Sequence, residues 1–161
     1  MNSGVVLVVL IAGVLVSLRG LGITPYAVLS GSMAPTYPVG SLILVQKEKA
    51  QDFQVDDPVT FVLDQSLTVV THRIVEIDRD KQSFITRGDA NNVNDGTPVY
   101  FENVIGKPIA VLPFLGYVMR WVSSPAGMII VLGVVVFLIG SLVIDGILEH
   151  KKKENLKHEK A

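Results

Sequence analysis

A run of 24 residues, Trp121 to Ile144, contains no charged side chain. As a helix rising about 1.5 Å per residue it would extend about 36 Å, against a bilayer hydrocarbon core of about 30 Å. Its centre, Met128 to Gly140, is apolar on every helical face, whereas a helix on the surface of a soluble domain shows a polar stripe. A core helix of this length would need a wrapping that the remaining roughly 100 residues of mixed sequence cannot supply. The run therefore predicts a transmembrane helix with Pro125 in its first turn. A second uncharged run, Met1 to Leu18, is shorter and is closed by Arg19. Gly20 to Ile23 would extend it if Arg19 snorkels to the interface. It reads as a retained helix rather than a cleaved signal peptide, because no basic side chain precedes it and no small-x-small site follows it.

Five lysines fall between Lys151 and Lys160, just after the second run. Lysine enrichment beside a span marks the cytoplasmic side. Two helices then place both termini in the cytoplasm and the intervening region outside. The expected organisation is an N-terminal transmembrane helix over residues 1–23, an extracytoplasmic domain over 24–120, a C-terminal transmembrane helix over 121–146 and a basic cytoplasmic tail over 147–161.

Composition narrows the chemistry. A chain of 161 residues with two such runs holds one small core. It lacks both the length and the glycine fingerprint of a doubly wound nucleotide-binding fold. The net charge of -1 gives no overall basic field, so no nucleic-acid partner is expected. Cysteine is absent, which removes disulfides, thiolate nucleophiles and cysteine-ligated metals together. Of three histidines, His150 and His158 lie in the tail, leaving His72 alone in the central region. A multi-histidine metal site is excluded there, and no cofactor is expected.

The middle of the chain reads as strands. Ser41–Gln46, Pro58–Leu63, Leu67–Ile77 and Gln82–Thr86 are rich in β-branched residues, and Asp78–Lys81 links the last two as a polar turn. Val99–Phe101 and Val104–Val111 are weaker candidates. Turn signals recur at Tyr37–Gly40, Asp56–Pro58, Asn94–Gly96 and Lys107–Pro108. No helix of ten or more residues is indicated between Gly40 and Ile109. The fold class is mainly β, a small sandwich or barrel-like domain flanked by two transmembrane helices. Phe114–Ser124 mixes aromatic residues with Arg120 and suits the membrane interface.

Just beyond the first helix stands Ser30-Gly-Ser-Met-Ala-Pro-Thr36. A serine acts as a nucleophile only with a base within hydrogen-bond reach and donors for the oxyanion. His72 is the one histidine able to serve, and a third group must orient its ring. Asp89 and Asp95, in Arg87-Gly-Asp-Ala-Asn-Asn-Val-Asn-Asp-Gly96, are the acids on offer. Taken alone, two serines around a glycine are most often a loop, a lone histidine on a strand is more often a core or surface residue, and the 87–96 segment reads equally well as a turn-rich loop with Asx turns. A calcium loop at 87–96 is a further reading, though it lacks a suitable closing glutamate.

Together the three segments resemble the boxes of type I signal peptidases. Ser30–Thr36 is similar to the family's Ser-x-Ser-Met-x-Pro-Thr nucleophile box, Val69-Val-Thr-His-Arg-Ile-Val75 to its general-base box, and Arg87–Asp95 to its Gly-Asp-Asn-rich box. They stand in the family's order across roughly residues 24–112. Histidine rather than lysine at the base position resembles the endoplasmic-reticulum-type branch found in eukaryotes, archaea and some Gram-positive bacteria. Only 15 residues separate His72 from Gly88, which leaves no room for the second domain that many lysine-type members insert.

The resemblance implies a membrane-bound serine endopeptidase that removes N-terminal signal peptides from secreted preproteins, cutting after small residues of the Ala-x-Ala type. It implies Ser32 as nucleophile, His72 as general base and Asp95 as the acid that orients it. Asp89 would have a secondary or structural role, the Ser30 hydroxyl and the Ser32 N–H would form the oxyanion hole, and Met33, Pro35 and Arg73 would be supporting residues. The implied partners are signal-peptide-bearing preproteins, the lipid bilayer and the secretion translocon. Two positions depart from the pattern: Gly40-Ser41 stands where the family has Gly-Asp, and Asp56-Asp-Pro-Val59 where it has Gly-Asp-Ile-Val. Pro58 removes a backbone donor, so its strand is expected to lie at an edge or to begin late.

Three other readings remain open at this level. One is a non-catalytic scaffold of the same fold. Another is a protease dedicated to a few exported substrates. The third is a lysine base drawn from Lys47, Lys49, Lys81 or Lys107. A self-cleaving repressor with a related fold would need a DNA-binding region that is missing here.

Overall fold

A computed structural model describes residues 3–63 and 68–158. Leu67, expected to open a strand, and Lys160 of the basic tail lie outside the described residues. The chain forms two compact units: residues 18–120, and the described residues of 1–17 with 121–161.

The first unit is one antiparallel sheet of seven strands: β1 (Ile23–Ala27), β2 (Leu42–Lys47), β3 (Pro58–Val62), β4 (Val69–Asp78), β5 (Ser83–Arg87), β6 (Val99–Tyr100) and β7 (Val104–Leu112). Their spatial order is β1-β2-β7-β3-β4-β5-β6. The fold is thus mainly β, as the β-branched runs indicate. The sandwich or barrel expected from the turn spacing is instead a single sheet with β1 and β6 at its edges, bent by register shifts in β2/β7, β3/β7 and β4/β5. Among the described residues the helices between Gly40 and Ile109 are three-residue turns at Ala50–Asp52 and Phe101–Asn103.

Two apolar clusters hold the sheet. Phe53, Val59, Phe61, Ile74, Phe84 and Val99 form one, with Phe53 and Phe84 rings 6.0 Å apart. Met33, Tyr37, Ile43 and Val45 form the other. Burying each large side chain contributes about 1.5–3 kcal/mol before entropy is charged against it.

Two strands differ from expectation for local reasons. β7, a weak candidate because of Gly106 and Pro108, lies in the middle of the sheet. A Cβ at Gly106 would collide with the Gln46 carbonyl oxygen, so the glycine permits the close approach of β2. Pro108 sits at the β2/β7 bulge, where the ladder is interrupted. β3 is interior rather than an edge, and it tolerates Pro58 as its first residue. Ahead of it Asp56 has φ +76°, a left-handed conformation that favours glycine, the residue of the family pattern at this position. A short helix, α2 (Leu115–Val122), follows β7. Its Gly116 lies against the Ser41 carbonyl, with which a Cβ would collide.

The second unit contains most of α1 (Ser3–Gly20) and α3 (Pro125–His158). A Cβ at Gly4 would meet Leu138 at 3.3 Å. Within α3, Pro125–Ile144 is the one segment among the described residues that is long and apolar enough to cross a membrane, judged by length and composition. Almost none of it is buried. The N-terminus of α3 is capped by Ser124, whose hydroxyl accepts the Gly127 N–H at 3.1 Å.

Candidate active site

The Ser30–Thr36 segment leaves β1 as a chain of tight turns. Ala34 N–H donates to the Gly31 carbonyl at 3.0 Å, Tyr37 N–H donates to the Met33 carbonyl at 2.8 Å, and the Ala34–Pro35 bond is cis. Met33 is 2% exposed and anchors the segment in the second apolar cluster. Ser30 stays exposed and Ser32 half-buried on this anchored loop, their hydroxyl oxygens 3.3 Å apart.

His72 sits on β4, opposite Val59 of β3, and is largely buried with its ring edge-on to Phe61. Its Nδ1 meets Asp95 Oδ2 at 2.6 Å. With Asp95 ionised, Nδ1–H donates and Nε2 is left as the acceptor, the tautomer that a serine proton requires. Asp95 also accepts the Thr86 hydroxyl at 2.6 Å. Among the described residues no hydrogen bond joins Ser32 to His72. Such bonds often tighten only when substrate binds.

Asp89 faces elsewhere. Arg73 Nε and Nη2 donate to its two oxygens at 2.7 Å each, and the Thr36 hydroxyl donates to Oδ2 at 2.6 Å. The Arg73 hydrogen bonds hold the Asp89 carboxyl below the usual carboxylate range, with Thr36 adding to the effect. The remaining Arg73 nitrogen, Nη1, donates to the Asp56 carbonyl at 2.7 Å. Burial pushes the neighbouring Tyr37 phenol up, keeping it neutral. The structure thus separates the two acids: Asp95 meets the histidine, and Asp89 ties the serine loop to β4.

The acid-bearing loop also touches the serine directly. Ala90 N–H donates to the Ser32 carbonyl at 2.8 Å. A Cβ on Gly88 would lie 2.6 Å from that same oxygen, so glycine lets the two loops meet. A groove of about 440 Å³ is lined by Ser30 and Ser32, by Val28 and Leu29 just after β1, and by residues 68–71. Of the lysines proposed as alternative bases, Lys81 is paired with Asp78 and Lys107 with Asp57.

Thr86 and Gly88 carried no site assignment in the sequence. The available signal was a hydroxyl on the strand leading into the Gly-Asp box, two residues after the core residue Phe84 and so on the same face of the strand.

Comparison with known proteins finds kinship over the part of the chain that carries most of these residues. A family model described as signal peptidase, peptidase S26, matches residues 1–93. The chain belongs to this signal peptidase family. The match spans Ser32, His72 and Asp89 and stops two residues short of Asp95. Signal peptidase I W of Bacillus subtilis is 46% identical over 86 residues, 52% of this chain and 45% of that protein. The signal peptidase complex catalytic subunit SEC11 of Zygosaccharomyces rouxii is 32% identical over 109 residues, 60% of this chain and 64% of that protein. SEC11 of Metarhizium robertsii is 34% identical over 102 residues, 56% and 59% of the two chains. The chain thus spans about half to two thirds of the length of these relatives. Similarity to both a bacterial signal peptidase I and the SEC11 subunits agrees with the branch that the histidine indicates.

Proposed function

We propose that this protein is a membrane-bound serine endopeptidase that removes signal peptides from exported preproteins, with Ser32, His72 and Asp95 as its catalytic residues. The observation that carries this reading is the His72–Asp95 hydrogen bond of 2.6 Å, on a loop that also holds the Ser32 carbonyl through Ala90.

In this mechanism Ser32 Oγ attacks the carbonyl carbon of the scissile bond as His72 Nε2 takes its proton. The developing oxyanion is met by the Ser32 N–H and the Ser30 hydroxyl. His72 then gives the proton to the leaving amine, the mature protein's new N-terminus, and the signal peptide remains as an ester on Ser32. Water, deprotonated by His72, hydrolyses that ester. Asp95 stabilises the imidazolium formed in each half-reaction and does not itself take the proton.

The edge strand β1 leads into the serine loop and offers unpaired backbone groups to an extended peptide. Substrate adds there as a further strand and lays small side chains, of the Ala-x-Ala type, into the groove. α1 and α3 both span the bilayer in this reading, with the lysines of the tail in the cytoplasm and residues 24–120 outside. The apolar part of a signal peptide lies in the membrane, so its cleavage site emerges at the face where such a domain is tethered. The secretion translocon that delivers the preprotein is the neighbouring partner.

The test is conversion of a preprotein with an Ala-x-Ala site by protein reconstituted in lipid. Wild type converts it, and His72→Ala lowers the rate by about 10³-fold or more. Equal rates in the two would overturn the assignment of His72.

A further inference from the structure

We propose that Thr86 is a positioning residue for the catalytic pair, acting through the Asp95 carboxylate. The proposal rests on the Ser32–His72–Asp95 reading. Thr86 is fully buried, with 0% of its surface exposed. Its hydroxyl donates to Asp95 Oδ2 at 2.6 Å, the same oxygen that His72 Nδ1 meets at 2.6 Å. The Asp95 N–H in turn donates to the Thr86 carbonyl at 2.8 Å. Thr86 therefore holds the acid at two points, one on its backbone and one on its carboxylate.

The acid needs that hold. Asp95 lies outside the strands, in the segment between β5 and β6, and its side chain is 25% exposed. A partly exposed carboxylate on a loop is free to turn toward water. Thr86 is on β5, paired with Ile74 two residues beyond His72 on β4, so it shares the sheet that fixes the histidine. Its β-branched side chain has few χ1 choices. A hydroxyl donating to an ionised carboxylate at this distance belongs to the strong class of hydrogen bonds. Both donors converge on one oxygen, so Oδ2 is fixed where Nδ1–H must find it. Loss of the Thr86 hydroxyl leaves the backbone bond in place but frees the carboxylate to rotate.

The experiment uses the full chain in lipid with an Ala-x-Ala preprotein, comparing wild type, Thr86→Val, Thr86→Ser and Ser32→Ala. Valine keeps the shape and loses the donor. Thr86→Val should lower kcat by about 10–100-fold, the scale of losing a partner that orients a reactive group, with little change in KM. Thr86→Ser should recover most of the loss. In an Asp95→Ala background, Thr86→Val should cost nothing further, because both changes remove one function. Full kcat in Thr86→Val, or an undiminished loss in the Asp95→Ala background, would overturn the proposal while Ser32→Ala remains inactive. Activity in Ser32→Ala would overturn the parent reading and this one with it. Should Thr86→Val fail to fold, Thr86→Ala against Thr86→Ser carries the same comparison of chains without and with the hydroxyl.

Discussion

Arg73 grips Asp89 with two parallel N–H···O bonds of 2.7 Å, one to each carboxylate oxygen. Asp89 also takes the Thr36 hydroxyl, so this pair joins β4, the serine loop and the Gly88–Asp95 loop. Fork geometry between guanidinium and carboxylate fixes orientation as well as adding energy. Asp89→Asn should therefore destabilise the domain by about 1–3 kcal/mol, read as a lower thermal midpoint. An unchanged midpoint would contradict this bridging role.

The same pair predicts a pH dependence. Arg73 holds the folded-state carboxyl of Asp89 below its ordinary value. A depressed carboxylate stabilises the fold at every pH above its unfolded value, about 3.9. That contribution is lost as pH falls through the lower, folded value. Asp57 shifts the same way: burial, the largest single influence, opposes the shift, but the Lys107 and Gln54 hydrogen bonds together with the Lys107 and Arg73 charges outweigh it. The midpoint gap between wild type and Asp89→Asn should be constant from pH 7 to about 5 and shrink below about 4. A gap that persists undiminished to pH 2.5 would contradict the assignment.

Gly88 is a steric prediction. Its Cβ, if present, would fall 2.6 Å from the Ser32 carbonyl oxygen and 2.9 Å from Asn91 Nδ2. The amide can move, but the backbone carbonyl cannot do so without moving Ser32, the proposed nucleophile. Gly88→Ala should lower kcat by about 10²-fold, the scale of a misplacement of about 1 Å. Steady-state cleavage rates check this, and a rate within twofold of wild type would show that the loops separate freely.

Ser30 is assigned to the oxyanion. Removing one such donor costs about 10²–10³-fold in kcat. Ser30→Ala should show that loss with KM preserved, while Ser30→Thr should keep part of the activity. An equal loss in both would argue for packing rather than for the hydroxyl.

The topology can be tested without background labelling, because the chain has no cysteine. Gln51→Cys, on the exposed surface of the sheet domain, should react with a membrane-impermeant thiol reagent added to intact cells. Asn155→Cys, in the lysine-rich tail, should react only after the membrane is opened. The reverse pattern would contradict the proposed orientation.

Much of the fold was legible in the sequence. β2, β3, β4 and β5 follow β-branched runs within one or two residues of expectation, because side-chain shape and burial act together there. β1 was not, since Ile23–Ala27 is a five-residue edge strand containing Pro25, next to an apolar helix that masks its start. β7 was underrated because Gly106 and Pro108 weaken local propensity, while their value lies in contacts with β2 that only the sheet reveals. Ser32, His72 and Asp95 were named together through the resemblance of their three boxes to the family's, and of these His72 and Asp95 meet in the fold. Thr86 was not, because a threonine one residue before the end of β5 gains meaning only when Asp95 folds back onto it.

The central claim is that Ser32 is the nucleophile of a signal-peptide-cleaving enzyme. The most direct measurement is the mass of the products formed from an Ala-x-Ala preprotein by wild type and by Ser32→Ala in the same lipid preparation. Wild type should give fragments corresponding to a single cut after the second alanine, and Ser32→Ala should leave the preprotein intact. The same fragments from Ser32→Ala, at the wild-type rate, would contradict the claim.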